Sequence, residues 1–362
     1  MDVTLRSVDL GKELNFLEKV VSTKPAVPIL ANVLIQAGAE GGVKLASTNL
    51  EQGLITSCQA RVDMPGAITL PVKKLKDIVA LLSNEDVRLT RDGSVVKLSS
   101  GQYTARLQTL PAEDFPILAT MKDLPIRKLP RVPLRDLILK TRFAVTDKDQ
   151  RYFMNGALLL LTDAAMLMVA TDGHRLARAA SAYADGPDNS AIVPSTTLDK
   201  LVELLQEGTD TDVLFAQSDR HLFFASDGRL LLSRMINGKF PAYERIIPKG
   251  QDKRVEVSAD ALALALQRVG QMAAETSCVS IDLGAGVMDL SSISSVVGDA
   301  VERLEVLYDG EALKLAVNGE YVLDFLRTVA SETVVLELKS PKDALLFSVG
   351  PNYQYIVMPI RA

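Results

Sequence analysis

Leu75-Lys76-Asp77-Ile78-Val79-Ala80-Leu81-Leu82 sets apolar side chains at positions 75, 78, 79 and 82, the spacing of a helix that buries one face. The same stripe returns as Leu198, Leu201, Val202 and Leu205, and again as Val322, Phe325, Leu326 and Val329. The interval is about 123–124 residues, close to one third of the chain and one domain's length. The segments just beyond the stripes recur as well. Asp86–Leu89, Asp212–Phe215 and Val335–Leu338 read as strands. Each meets a polar turn (Arg91-Asp92-Gly93, Ser218-Asp219-Arg220, Ser340-Pro341-Lys342) and then a second apolar strand (Val95–Leu98, Leu222–Phe224, Leu345–Phe347). A further helix opens each third, marked by the pairs Leu10 and Leu14, Leu134 and Ile138, and Leu262 and Leu266. One domain is used three times.

Breaker residues mark the joints. Asp123-Leu124-Pro125-Ile126-Arg127-Lys128-Leu129-Pro130 carries two prolines, and Pro248-Lys249-Gly250-Gln251-Asp252 is the second connector. The expected domains are therefore residues 1–122, 123–250 and 251–362. Between the helices lie short β-prone runs such as Asn32–Gln36, Val43–Ala46, Ala157–Leu161, Leu167–Ala170 and Val301–Leu307. Two helices and roughly eight short strands per third predict an α+β fold, two antiparallel sheets with both helices on one side.

Composition narrows the function classes. The 362 residues, 48% hydrophobic and 23% charged, suit ordinary globular domains. A net charge of −5 offers nucleic acid no bulk attraction. Met1-Asp2-Val3-Thr4-Leu5 has no basic leader, and no run approaches the roughly 18 apolar residues of a membrane span, so a cytoplasmic protein is expected. Cys58 and Cys278 fall in different thirds without metal-ligand spacing and read as free thiols. His174 and His221 are the only histidines. Nucleophile elbows, phosphate loops and zinc helices are absent, and Gly284-Ala285-Gly286 is a lone G-x-G before a strand. Neither a cofactor nor a metal is implied.

Three segments stand outside the repeat. Thr171-Asp172-Gly173-His174-Arg175-Leu176-Ala177 lies between two strand-like runs. It reads as a hairpin turn, as a binding surface, or as a catalytic pair in which Asp172 orients His174. Tyr355-Ile356-Val357-Met358-Pro359-Ile360 stays apolar up to the last residues, which suits a strand followed by a peptide-docking surface with an adaptable methionine. Phe240–Pro248 reads as a packed loop.

At these segments the chain resembles bacterial DNA polymerase III β subunits, the sliding clamps of replication. The likeness runs through Lys24–Leu30, Arg151–Gly156, Thr171–Ala177, Phe240–Pro248 and Val357–Arg361, and covers the whole chain in order. It implies a non-catalytic head-to-tail homodimer, a ring of six like domains around double-stranded DNA. Such a ring tethers the replicative polymerase subunit and other clamp-binding-motif proteins by short peptides, and a clamp loader opens and closes it. Carried over by motif, the peptide site comprises Met154, Thr171, Gly173, His174, Arg175, Leu176, Pro241, Arg245, Ile246, Val357, Met358, Pro359 and Ile360. His174, Arg175 and Arg245 would supply polar contacts.

For DNA the resemblance points to Lys24, Lys73, Lys148, Tyr152 and Phe153. For the subunit junction it points to Lys74, Ala105, Leu107, Gln271, Met272, Glu302 and Glu305, with a strand near Gln102–Leu110 meeting one near Val301–Leu307. Ala105 stands where a bulky aromatic can occur in the family. The six helices are not basic overall, so a channel for DNA requires lysines and arginines sorted to one face. Two other readings compete: a three-domain peptide-binding scaffold without DNA, and a hydrolase using Asp172 and His174.

Overall fold

The computed structural model describes all residues except 23–24, 39–40, 83–85, 148, 274–276, 330 and 361–362. The first third holds β1 (Asp2–Arg6), α1 (Ser7–Glu18), β2 (Asn32–Ala37), β3 (Val43–Thr48), β4 (Gln52–Cys58), β5 (Ala60–Met64), β6 (Gly66–Pro71), α2 (Val72–Val79), β7 (Asp86–Asp92), β8 (Val95–Ser100) and β9 (Tyr103–Gln108). The second holds β10 (Arg127–Pro130), α3 (Arg131–Thr141), β11 (Gly156–Leu161), β12 (Ala165–Thr171), β13 (Arg175–Ala182), β14 (Asn189–Pro194), α4 (Ser195–Glu207), β15 (Asp212–Gln217), β16 (His221–Ser226) and β17 (Arg229–Arg234). The third holds β18 (Lys253–Ser258), α5 (Ala259–Gly270), β19 (Cys278–Gly284), β20 (Val287–Ser294), β21 (Gly298–Glu305), β22 (Leu313–Asn318), α6 (Gly319–Leu326), β23 (Thr333–Leu338), β24 (Leu345–Val349) and β25 (Tyr353–Val357).

Each stripe buries as its spacing requires. Leu75, Leu198, Leu201, Val322 and Phe325 are core residues. α4 spans its whole stripe, whereas the other two helices stop earlier than their stripes do. α2 ends at Val79, and Leu82 donates its N–H to the Val79 carbonyl in a tighter turn; Val329 does the same to Leu326 beyond α6. A turn of three residues keeps the last apolar side chain on the buried side, which is why periodicity alone overruns the helix ends.

The described chain forms two compact bodies, and the middle repeat contributes strands to both. The first body comprises residues 1–131 and 199–235. It carries a five-stranded sheet in the order β5-β1-β7-β8-β9 and an eight-stranded sheet in the order β10-β15-β16-β17-β4-β3-β2-β6. The second comprises residues 132–198 and 236–362. Its sheets run β14-β11-β12-β13-β25-β24-β23-β18 and β21-β20-β19-β22. All these ladders are antiparallel. Each eight-stranded sheet fuses four strands of one repeat to four of the next. Leu54 of β4 faces Leu231 of β17, and Ala177 of β13 faces Tyr355 of β25. The other two sheets leave β9 and β21 at an edge.

The sheet-to-sheet joints begin with twin turns. Thr48 Oγ1 donates to the Gln52 carbonyl and accepts from the Leu50 N–H, while Asn49 Oδ1 accepts from the N–H groups of Glu51 and Gln52. Thr171 and Asp172 repeat the pattern on Arg175, Gly173 and His174. Both turns need a left-handed residue at the third position, and it is Leu50 in one and Gly173 in the other. In the first body Leu232 closes over Gly53, where a Cβ would lie 2.9 Å from it, and Leu118, Met121 and Leu124 cover the Phe223–Leu232 face.

One buried cation of the first body is matched on several sides. Arg229 is buried, grips Glu13 with two nitrogens at 3.0 Å each, reaches Glu207 at 2.8 Å and stacks over Phe16. Cys58 sits beside this group. Burial, with Glu13 and Asp9 nearby, pushes its thiol up to about 12. At pH 8 Cys58 is therefore a protonated thiol in the native fold. Iodoacetamide should leave it unmodified for at least about a hundred times as long as an unfolded control, as read by mass spectrometry. Rapid labelling of native Cys58 would contradict this placement.

Candidate functional site

In the second body an apolar cluster joins the middle and last repeats. Leu158, Val169, Leu176 and Ile192 come from β11–β14, Leu346 and Ile356 from β24 and β25, and Phe240 and Tyr243 from the connector between repeats. Phe153, Ile236 and Ile247 pack against its margin. The sequence builds it by alternation: every second residue of these strands faces this side. Phe240 and Tyr243, read from sequence as a packed loop, are thus the cluster's lid on one flank.

Around the cluster the predicted peptide-site residues separate into two groups. Met154, Thr171, Leu176 and Val357 are buried, and of these Leu176 belongs to the cluster itself. Gly173, His174 and Arg245 are exposed, Pro241 and Pro359 are half-buried, and Ile246, Met358 and Ile360 stand 40%, 42% and 37% exposed. Three part-exposed aliphatic side chains beside an apolar base are an unusual density for a surface. The tail carrying two of them is tied down at the backbone. Met358 donates its N–H to the His174 carbonyl at 3.0 Å, and Ile360 donates to the Ala316 carbonyl at 2.8 Å. Those bonds hold Met358 beside the His174 turn.

Gly173 is required where it stands. Its φ is +90°, and a Cβ there would meet the Arg151 guanidinium nitrogens at 3.3 Å. Arg151 is held over the turn by Asp149, which it contacts through Nε at 2.9 Å and a terminal nitrogen at 2.8 Å. That side-chain pairing, with a backbone N–H from Arg151, lowers Asp149 to about 2.

Arg175 does not offer its donors outward. Nε bonds Asp172 at 2.9 Å, one terminal nitrogen bonds Asp324 of α6 at 2.6 Å, and the other bonds the Phe143 carbonyl at 2.7 Å. Its guanidinium also lies 4.3 Å from the Tyr321 ring centre. Burial opposes the charge, but the Asp324 bond and Asp172 outweigh it and raise the pKa. Arg175 therefore ties the turn of the middle repeat to a helix of the last. Sequence reasoning missed Asp324, Tyr321 and Phe143, because no local pattern signals a partner nearly 150 residues away. The same geometry answers the hydrolase reading. Asp172 spends one carboxylate oxygen on the N–H groups of His174 and Arg175 and the other on Arg175 Nε, so it does not orient the His174 imidazole.

The residues expected to meet DNA lie apart in character. Lys24 and Lys148 fall outside the described residues. Tyr152 is 76% exposed, whereas its neighbour Phe153 packs on the apolar cluster. Lys73 is exposed on α2. Many helix cations are already matched: Lys19 with Glu203 and Glu207, Lys76 with Glu18, Lys200 with Glu203, Arg268 with Glu302 and Arg327 with Asp324. Among the described residues Lys12, Lys73 and Lys74 are exposed helix lysines with no carboxylate in ion-pair reach. Of the junction residues, Ala105 and Leu107 lie half-buried on edge strand β9, while on edge strand β21 Glu302 is half-buried and Glu305 exposed. Gln271 and Met272 follow α5. A concavity of about 680 Å³ flanks β9, lined by Lys74, Asp77, Ile78, Leu81, Leu82, Ser100, Gln102 and Tyr103.

Comparison with known proteins is consistent along the chain. Family models of the DNA polymerase III beta subunit match in succession: the N-terminal domain at residues 1–119, the central domain at 128–242 and the C-terminal domain at 244–361. The beta sliding clamp of Pseudomonas putida is 34% identical, with all of both chains covered, and that of Escherichia coli K12 is 29% identical over the same full coverage. A solved DNA polymerase III subunit beta from Pseudomonas aeruginosa superposes with a TM-score of 0.95 at 30% identity, again over 100% of each chain.

Proposed function

Because this chain belongs to the DNA polymerase III beta subunit family, we propose a division of labour among its surfaces in a sliding clamp. The protein is a non-catalytic processivity factor. It closes head to tail as a ring dimer around duplex DNA and tethers the polymerase and other partners. We place the repeat boundaries at 122/123 and 250/251, in the two connectors. Among the described residues no helix is long and apolar enough to cross a membrane, and we assign the protein to the cytoplasm, where replication takes place.

The peptide site is the apolar cluster of the second body with the tail beside it. The observation that carries this assignment is the Met358 N–H bond to the His174 carbonyl, which holds an adaptable apolar side chain at the margin of a preformed apolar base. An incoming peptide would lay apolar side chains against Leu176, Ile246 and Met358, with His174 and Arg245 at the polar edge. Arg175 acts from beneath by fixing the turn.

Lys12, Lys73 and Lys74 supply the free positive charge, with Lys24, Lys148 and the exposed Tyr152 as further contacts. A few unpaired lysines give weak, sequence-independent attraction, which suits translation along a duplex. Topology then does the holding. The test is to load the protein on nicked circular DNA with a clamp loader and linearise the circle. The clamp should leave through the free ends within minutes, with well over about 90% lost. Retention on the linear product would mean that affinity, rather than encirclement, holds it.

A further inference from the structure

The ring leaves one joint to be made between chains, and the two joints inside each chain state its geometry. Pro71, Pro194 and Asn318 immediately precede α2, α4 and α6, so they mark the same place in the three repeats. Their ladder partners are Asn32, Gly156 and Cys278. Tracing the hairpins onward from these residues brings Leu54, Ala177 and Ala300 to one equivalent position, opposite Ser47, Ala170 and Ser292. Starting instead from Arg6, Pro130 and Ser258, just before α1, α3 and α5, the ladders bring Ala105, Leu231 and Tyr355 to a second equivalent position, opposite Leu98, Phe224 and Phe347. The two routes are independent. They agree, because Leu54 does pair with Leu231 and Ala177 does pair with Tyr355.

We infer that the joint between copies repeats this register: Ala300 of β21 lies opposite Ala105 of a second copy's β9. The proposal rests on the ring-dimer reading and adds the residue-by-residue pairing to it. Both strands are sheet edges, which otherwise expose unpaired backbone groups. The register also satisfies the side chains. Ala300 and Glu302 share a face with the core residue Leu290, and Ala105 and Leu107 share one with Val96 and Leu98. Helix-facing sides therefore meet helix-facing sides, whereas a slip of one residue would turn every side chain over. On the opposite face Asp299 falls beside Arg106 of the second copy, an opposite-charge pair that slips of two residues in either direction destroy.

The inner joints also fix the type of pairing. Arg234 donates to the Glu51 carbonyl and Met358 to the His174 carbonyl, so the Leu54–Leu231 and Ala177–Tyr355 pairs are of the close, non-hydrogen-bonded kind. Ala300 and Ala105 then inherit that short separation, which suits a disulfide. The full-length A105C/A300C variant should oxidise to a covalent dimer, a cross-linked species absent from the parent chain, while the two-residue-slipped L107C/A300C variant should not. Denaturing electrophoresis without reductant reads both. Sedimentation of the reduced variants separates the ways of failing. A monomer at micromolar concentration removes the ring reading itself; a dimer that cross-links only through Leu107→Cys, or through neither pair, overturns the register alone.

Discussion

Stopping the chain after Val357 should weaken binding of a polymerase-derived clamp-binding peptide by at least about 100-fold, roughly 2.7 kcal/mol, while the dimer remains intact. The truncation removes Met358 and Ile360, two of the three part-exposed aliphatic side chains at the site. Burying one such side chain contributes about 1.5–3 kcal/mol, so losing two accounts for the expected effect even with incomplete burial. The truncation also frees the His174 and Ala316 carbonyls, both of which can turn to water. β25 keeps its ladders to β13 and β24, so the fold retains its main support. Fluorescence anisotropy with a labelled peptide and sedimentation velocity read the two quantities. Unchanged affinity would make the tail structural only.

Arg175→Ala should cost about 3 kcal/mol of folding stability, among the largest losses available from one side chain in the second body. The guanidinium is mostly buried and satisfies two carboxylates and a carbonyl. Removing it leaves Asp172, largely shielded from water, without its cation and takes one of two cations from Asp324, which keeps Arg327. Arg175→Lys should recover less than half of the loss, since one ammonium cannot serve partners placed around a planar fork. Urea unfolding measures the stability change. Peptide affinity should fall as well, because the His174 turn then keeps its local Thr171 and Asp172 bonds but loses its tie to Asp324 of α6. A loss below about 1 kcal/mol would show that the ion pairs merely decorate a joint already fixed by packing.

These two sites differ in how far the sequence disclosed them. The tail was legible because apolar residues at an exposed segment conflict with ordinary surface composition, and Met358 carries that conflict in its own identity. The triplication was legible because buried faces impose a period. Arg175 was only half legible. Its place in the Thr171–Ala177 motif marked it, but its ties to Asp324 and Tyr321 depend on a β13–β25 ladder between strands almost 180 residues apart. Nothing local encodes such pairing. Phe153 shows the same limit: an aromatic beside Tyr152 reads as a partner for exposed bases, yet it packs on the apolar cluster. Helix charge was the least informative, since cations such as Lys19 and Lys76 are neutralised by acids distant in sequence.

The twin turns at Thr48 and Thr171 share a hydrogen-bond pattern, but beside the first Leu118 and Leu232 close over Gly53, whereas the second lies beside the open site. The molecule thus contains its own reference experiment. Whatever a substitution does to the turn as a piece of backbone is reported at Thr48 without any ligand nearby. The excess seen for the matching change at Thr171 belongs to recognition, so folding and binding, usually confounded in one measurement, can be separated within a single chain.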